Sequence, residues 1–152
     1  MKFDRAIEES LHLWIKKISS VEFGPACPYA MKALLNNEVV IKNGGDPIEN
    51  IIPLPEGISV CVVPRIGITY PDLSNLCDEY NEMFPEYLFL DTHPDETLRL
   101  RGKKTVWEYP AVIIQRRDEL LEARSHLMNI GFYKNWDIDL LESLGIDLNI
   151  KG

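Results

Sequence analysis

A chain of 152 residues with 45% hydrophobic side chains fits one domain, residues 1–152, large enough to bury a core without disulfide or metal staples. Its formal net charge of -8 repels nucleic acid and anionic lipid at long range, which argues against duplex binding and leaves room only for a small anion at a local basic site. No stretch approaches the roughly 20 apolar residues that span a bilayer, and Met1 to Arg5 has no apolar run behind it, so a cytoplasmic protein without a membrane partner is expected.

The first helix is predicted over residues 4–19, where Ile7, Leu11, Trp14, Ile15 and Ile18 recur at helical spacing. Gly24 and Pro25 then break the chain, and Pro28 suits the first position of a short helix to Leu35 with Cys27 as its cap. Val39-Val40-Ile41 reads as a short strand. Residues 42–57 carry Gly44-Gly45, Asp46-Pro47, Pro53 and Pro55, turn chemistry that predicts a long surface loop too polar to form core. Residues 58–63, Ile-Ser-Val-Cys-Val-Val, make a nearly continuous apolar run suited to a central strand covered on both faces. A helix over residues 71–84 follows, with Leu73, Leu76, Cys77, Tyr80 and Phe84 on one face and Pro85 ending it, and then a buried strand at Tyr87-Leu88-Phe89-Leu90. This β-α-β order predicts a parallel or split pairing. Pro110 is predicted to open a long helix to about Ile130, and Ile138, Leu140, Leu141 and Leu144 mark a last short one before Gly145.

Reactive groups concentrate in two stretches. Cys27 sits at a predicted helix start, where unpaired N–H groups and the dipole favour a thiolate, although a small buried hydrophobe beside a Gly-Pro turn is an equal reading. Cys61 and Cys77 fall inside apolar patterns and read as core thiols of a reducing compartment. His93 follows a strand and precedes Pro94, Asp95 and Glu96, which suits proton transfer or metal ligation, while Thr92-x-x-Asp95 equally matches a helix capping box. On the predicted long helix, Ile113, Leu120, Leu121, Leu127 and Met128 define an apolar arc with Arg117 and Arg124 near its middle. Such guanidinium groups must find a carboxylate, backbone carbonyls or an anionic ligand. Arg99, Arg101, Lys103 and Lys104 form a basic cluster placed to attract an anion.

The chain resembles a bacterial family of small uncharacterised proteins that share a tryptophan-containing first helix leading to Cys-Pro-Phe-Ala, then Phe-His-Pro-Asp after a strand, Tyr-Pro opening a helix with an arginine two turns in, and a closing Leu-rich helix. The counterparts here are Trp14, Cys27-Pro28-Tyr29-Ala30, Thr92-His93-Pro94-Asp95, Tyr109-Pro110 with Arg116, and Leu140 to Gly145, which together span most of the chain. The segment from His93 to Tyr109 is shorter than the family's, and Thr105-Val106-Trp107-Glu108 replaces its Asn-Arg-Ser-Pro, so an arginine there does not carry over. The resemblance implies that Cys27, His93, Asp95, Tyr109 and Arg116 belong together. It implies no reaction.

The resulting expectation is a single α+β domain, a small mixed sheet with helices mainly on one face and a ferredoxin-like arrangement as the nearest topology. The leading functional expectation is a small-molecule enzyme in which Cys27 is nucleophile or metal ligand, His93 the acid/base oriented by Asp95, and Tyr109, Arg116 and Arg101 hold an anionic substrate. One alternative is an iron or zinc enzyme ligated by His93, Asp95 and Glu96, and another is a non-catalytic binding or interaction protein in which the same residues are caps and ion pairs. No cofactor, substrate or oligomeric state can be read from the residues.

Overall fold

β-Branched and aromatic side chains pack well on a pleated surface and poorly against the preceding turn of a helix, and here they collect in four short runs that become one sheet. The computed structural model describes residues 5–18, 35–42, 48–96, 99–100, 103–104 and 107–129. Strands β1 (Val39–Ile41), β2 (Val60–Pro64), β3 (Tyr87–Thr92) and β6 (Ala111–Arg116) form that sheet in the order β1-β2-β6-β3, while β4 (Arg99–Leu100) and β5 (Lys103–Lys104) pair as a separate ribbon. Helices α1 (Arg5–Ile18), α2 (Tyr70–Met83) and α3 (Arg117–Asn129) complete an α+β domain.

β1 runs parallel to β2, and β6 runs antiparallel to both β2 and β3. β2 and β3, joined by α2, are therefore parallel with β6 inserted between them, the split pairing that the β-α-β order predicts. From β2 through α3 this is the order of a ferredoxin-like domain. The edge departs from it: the position beside β2 is taken by β1, which precedes it in the chain and lies parallel rather than antiparallel.

The period of two along each strand sends alternate residues to two separate cores. Cys61, Val63, Phe89, Val112 and Ile114 meet Leu73, Cys77 and Tyr80 of α2 on one face. Val60, Val62 and Ala111 meet Leu11 and Ile15 of α1 together with Trp107 on the other. All five residues of β2 are buried, as a central strand covered on both faces requires. The helices thus do not gather mainly on one face, because the apolar stripe of α1 and that of α2 each need a sheet face of their own.

Two segments differ from the sequence reading. Residues 111–116 are strand rather than the first turns of a helix, and α3 begins only at Arg117. Pro110 serves as the strand's entry, its carbonyl accepting from the Arg65 N–H at 2.8 Å. The predicted surface loop also contributes to the core: a 3₁₀ turn at Ile48–Asn50 folds Ile48, Ile51 and Leu54 inward against the α2 side of the sheet. Its prolines restrict the chain to turns, and the turns carry those three apolar side chains into the core. The predicted short helix at Cys27–Leu35, apart from its last residue, and the predicted last helix near 138–145 lie outside the described residues.

Candidate functional site

Two ends of the sheet collect polar groups, and β3 with β6 sets the distance between them. At one end β3 finishes at Thr92 opposite Ala111, and at the other it starts at Tyr87 opposite Arg116. Five residue steps at roughly 3.3 Å place the two ends about 17 Å apart. His93 and Tyr109 therefore share one end, and Arg116 lies at the other, too far away to hold the same small substrate. Cys27 and Arg101 lie outside the described residues.

At the first end, the ring of His93 is buried at 4% exposure. The Asp95 backbone N–H donates to Nδ1 at 3.0 Å, and Nε2 lies 2.8 Å from the carbonyl oxygen of Ile68. A carbonyl only accepts and an amide N–H only donates, so the proton sits on Nε2 and both ring nitrogens are occupied by backbone. Gly67 makes this possible: at φ +89° it turns the chain so that the Ile68 N–H reaches the Arg65 carbonyl at 3.2 Å and the Ile68 carbonyl faces the ring. The Asp95 carboxylate is 3.9 Å from Nδ1 with a side chain 79% exposed, so Asp95 orients the ring through its amide rather than through its charge. No helix starts at Pro94. Residues 93–96 close a turn in which the Glu96 N–H donates to the His93 carbonyl at 3.1 Å, and Thr92 Oγ1 accepts the Trp107 N–H instead of capping. Tyr109 packs edge-on against Trp107 with ring centroids 5.1 Å apart.

Carboxylates crowd the same end. Burial, then Asp78, push the Asp91 carboxyl above its ordinary value, while a Ser74 hydrogen bond and His93 pull it down. Burial, then Glu96 and Asp91, likewise raise the Tyr70 phenol, whose ring lies 5.7 Å from that of His93. Among the described residues no three His, Cys, Asp or Glu side chains are grouped to hold a metal, His93, Asp95 and Glu96 included. Because the folded Asp91 pKa is raised above 3.8, folding is favoured by this group below that pH and the benefit is lost as pH rises through the folded value. Asp91→Asn is expected to raise the melting temperature at pH 7, with the gain shrinking as the pH is lowered towards 3; a gain that grows in acid would contradict the assignment.

Cys61 and Cys77 are buried core thiols. Burial pushes Cys61 up to about 11 despite Lys42, and burial with Asp91 and Asp78 pushes Cys77 up to about 12, so neither offers a thiolate near neutrality.

At the second end, Arg116 commits its guanidinium to the loop packed beneath it. Nη1 donates to the carbonyl of Ile58 at 2.6 Å and to Glu119 at 3.2 Å, and Nη2 to the carbonyls of Leu54 at 3.0 Å and Pro55 at 2.9 Å. Arg117, read from sequence as needing a partner, finds the carbonyls of Pro85 at 2.9 Å and Tyr87 at 3.1 Å, with Asn81 Oδ1 at 3.5 Å. Its Nη1 carries no hydrogen bond among the described residues. Arg124 is buried at 8% exposure on α3. Beside this cluster lies an open groove of about 440 Å³ lined by Pro85, Glu86, Tyr87, Arg117, Asp118 and Leu121, with Arg116 on its wall.

Two residues that pattern reading passes over prove central. Trp107 is buried at 1% exposure between α1 and the sheet, and its only sequence signal is an indole shortly before a Tyr-Pro pair. Asn81 bonds the backbone of Phe89 at both N–H and carbonyl, for which helical periodicity gives no sign. No helix among the described residues is long and apolar enough to cross a membrane. No family model, curated protein or solved structure matches the chain.

Proposed function

We propose that this chain is a non-catalytic cytoplasmic binding protein that takes a small anion, a carboxylate or phosphate group, in the groove beside Arg117. The observation that carries the reading is the division of labour between the two ends. His93 has both ring nitrogens committed to backbone, whereas Arg117 brings Nη1 to a groove at the first turn of α3, where the helix dipole also favours negative charge. Glu86 and Asp118 on the rim oppose this, but the Asp118 carboxylate already accepts the Glu119 N–H at 2.8 Å. In this proposal the likeness to the Cys-Pro-Phe-Ala family is retained, with Arg116 supporting the wall rather than contacting ligand. The enzymatic reading through Cys27, His93 and Asp95, or through iron or zinc at His93, requires the ring to abandon at least one backbone partner, and is the alternative the experiment distinguishes.

Thermal unfolding in rising phosphate and acetate provides the test. A ligand at about ten times its Kd stabilises by about 1.4 kcal/mol, or about 3–6 °C for a chain of this size. The wild type is expected to gain that increment and Arg117→Met to lose it, whatever the variant's starting melting temperature. If neither anion stabilises the wild type, the anion reading is wrong. Stabilisation by zinc that disappears in His93→Ala favours the metal enzyme instead.

A further inference from the structure

β3 is an edge strand, and its exposed flank bears the backbone groups through which sheets recruit further strands. The segment is prone to do so: Tyr87-Leu88-Phe89-Leu90 is four consecutive apolar residues of high β preference, with no charge, glycine or proline among them. Alternate residues of β3 turn their backbone groups away from β6, and Phe89 is one of these. There the side-chain amide of Asn81, on α2, takes the place of a neighbouring strand. The Phe89 N–H donates to Asn81 Oδ1 at 2.8 Å, and Asn81 Nδ2 donates to the Phe89 carbonyl at 2.9 Å. Tyr87, two residues earlier and also turned outward, donates its N–H to the Phe84 carbonyl at 3.0 Å, and its own carbonyl accepts from Arg117 Nη2 at 3.1 Å.

We infer that Asn81 is a plug that closes the outer edge of β3 to a second copy of this chain. A second copy is the partner that the geometry selects. Two β3 strands laid antiparallel about Phe89 exchange the same donor and acceptor pair across a two-fold axis, and each replaces the other's Asn81 without loss of a backbone hydrogen bond. The amide makes the same two bonds within one chain, at no cost in association entropy, and so wins at ordinary concentrations.

The experiment is sedimentation velocity of the full chain with Asn81→Ala across a wide concentration range, alongside hydrogen exchange at the Phe89 amide. Asn81→Ala is expected to double in mass relative to wild type as concentration rises, with Phe89 protection rising in step. A folded Asn81→Ala that keeps the wild-type mass throughout, and whose Phe89 amide exchanges faster at a rate independent of concentration, overturns the inference, since the amide then serves stability alone. Asn81→Ser repeats the test with a smaller change. If neither variant folds, the amide is a condition of the fold and the plug is likewise rejected.

Discussion

Trp107→Ala is expected to cost about 3–5 kcal/mol of stability, a fall in melting temperature of about 6–20 °C for a chain of this length. The indole is 1% exposed, so its removal leaves a cavity between α1 and the sheet that the close-packed surroundings only partly refill. It stacks on Trp14 of α1 at 6.2 Å and meets Tyr109 edge-on at 5.1 Å. Its Nε1 also donates to Ser10 Oγ at 3.0 Å, and that hydroxyl in turn donates to Glu108 at 2.6 Å. One side chain therefore fastens α1 to the segment that enters β6. Trp107→Phe keeps most of the apolar contact and loses only the indole donor, so its cost should be about 1–2 kcal/mol. Urea unfolding of the two variants measures the difference. A Trp107→Ala protein within about 1 kcal/mol of wild type would mean that α1 packs on the sheet by other contacts.

Arg116→Met should cost about 2–4 kcal/mol, since charged hydrogen bonds contribute about 1.5–3 kcal/mol each and the three carbonyls regain only some of that from water. Those carbonyls belong to Leu54, Pro55 and Ile58, so the guanidinium ties the end of β6 to the loop that sends Ile48, Ile51 and Leu54 into the core. Arg116→Lys is expected to recover little, because one ammonium cannot reach three carbonyls from two directions. The ion pair with Glu119 matters less: that side chain is 42% exposed, and Glu119→Gln should change stability by less than about 1 kcal/mol. Chemical denaturation of the three variants gives the order. An arginine waiting for substrate behaves otherwise, its loss costing little in the unliganded protein, and a near-neutral Arg116→Met would return Arg116 to the role of a ligand contact.

Periodicity alone determined α1, β1, β2, α2 and β3, because each is a local pattern that one face of a helix or strand must satisfy whatever it packs against. The core positions of Cys61 and Cys77 follow from the same patterns, as does the split pairing of β2 and β3. Local pattern does not settle the run from Ala111. Val112-Ile113-Ile114 suits a strand, yet Ile113 and Leu120 lie seven apart and extend a helical arc, and only the gap between β2 and β3 makes the residues a strand. The candidate site was legible in kind and not in arrangement. His93 beside Asp95 and Glu96 is visible in the chain, but its proton position is set by a carbonyl 25 residues away. Arg116 stands out in the chain too, but its partners lie 58 to 62 residues earlier. Side-chain spacing records which face a residue occupies, and hydrogen-bond partners across loops leave no period, so tertiary structure decided whether each polar group serves a ligand or the backbone.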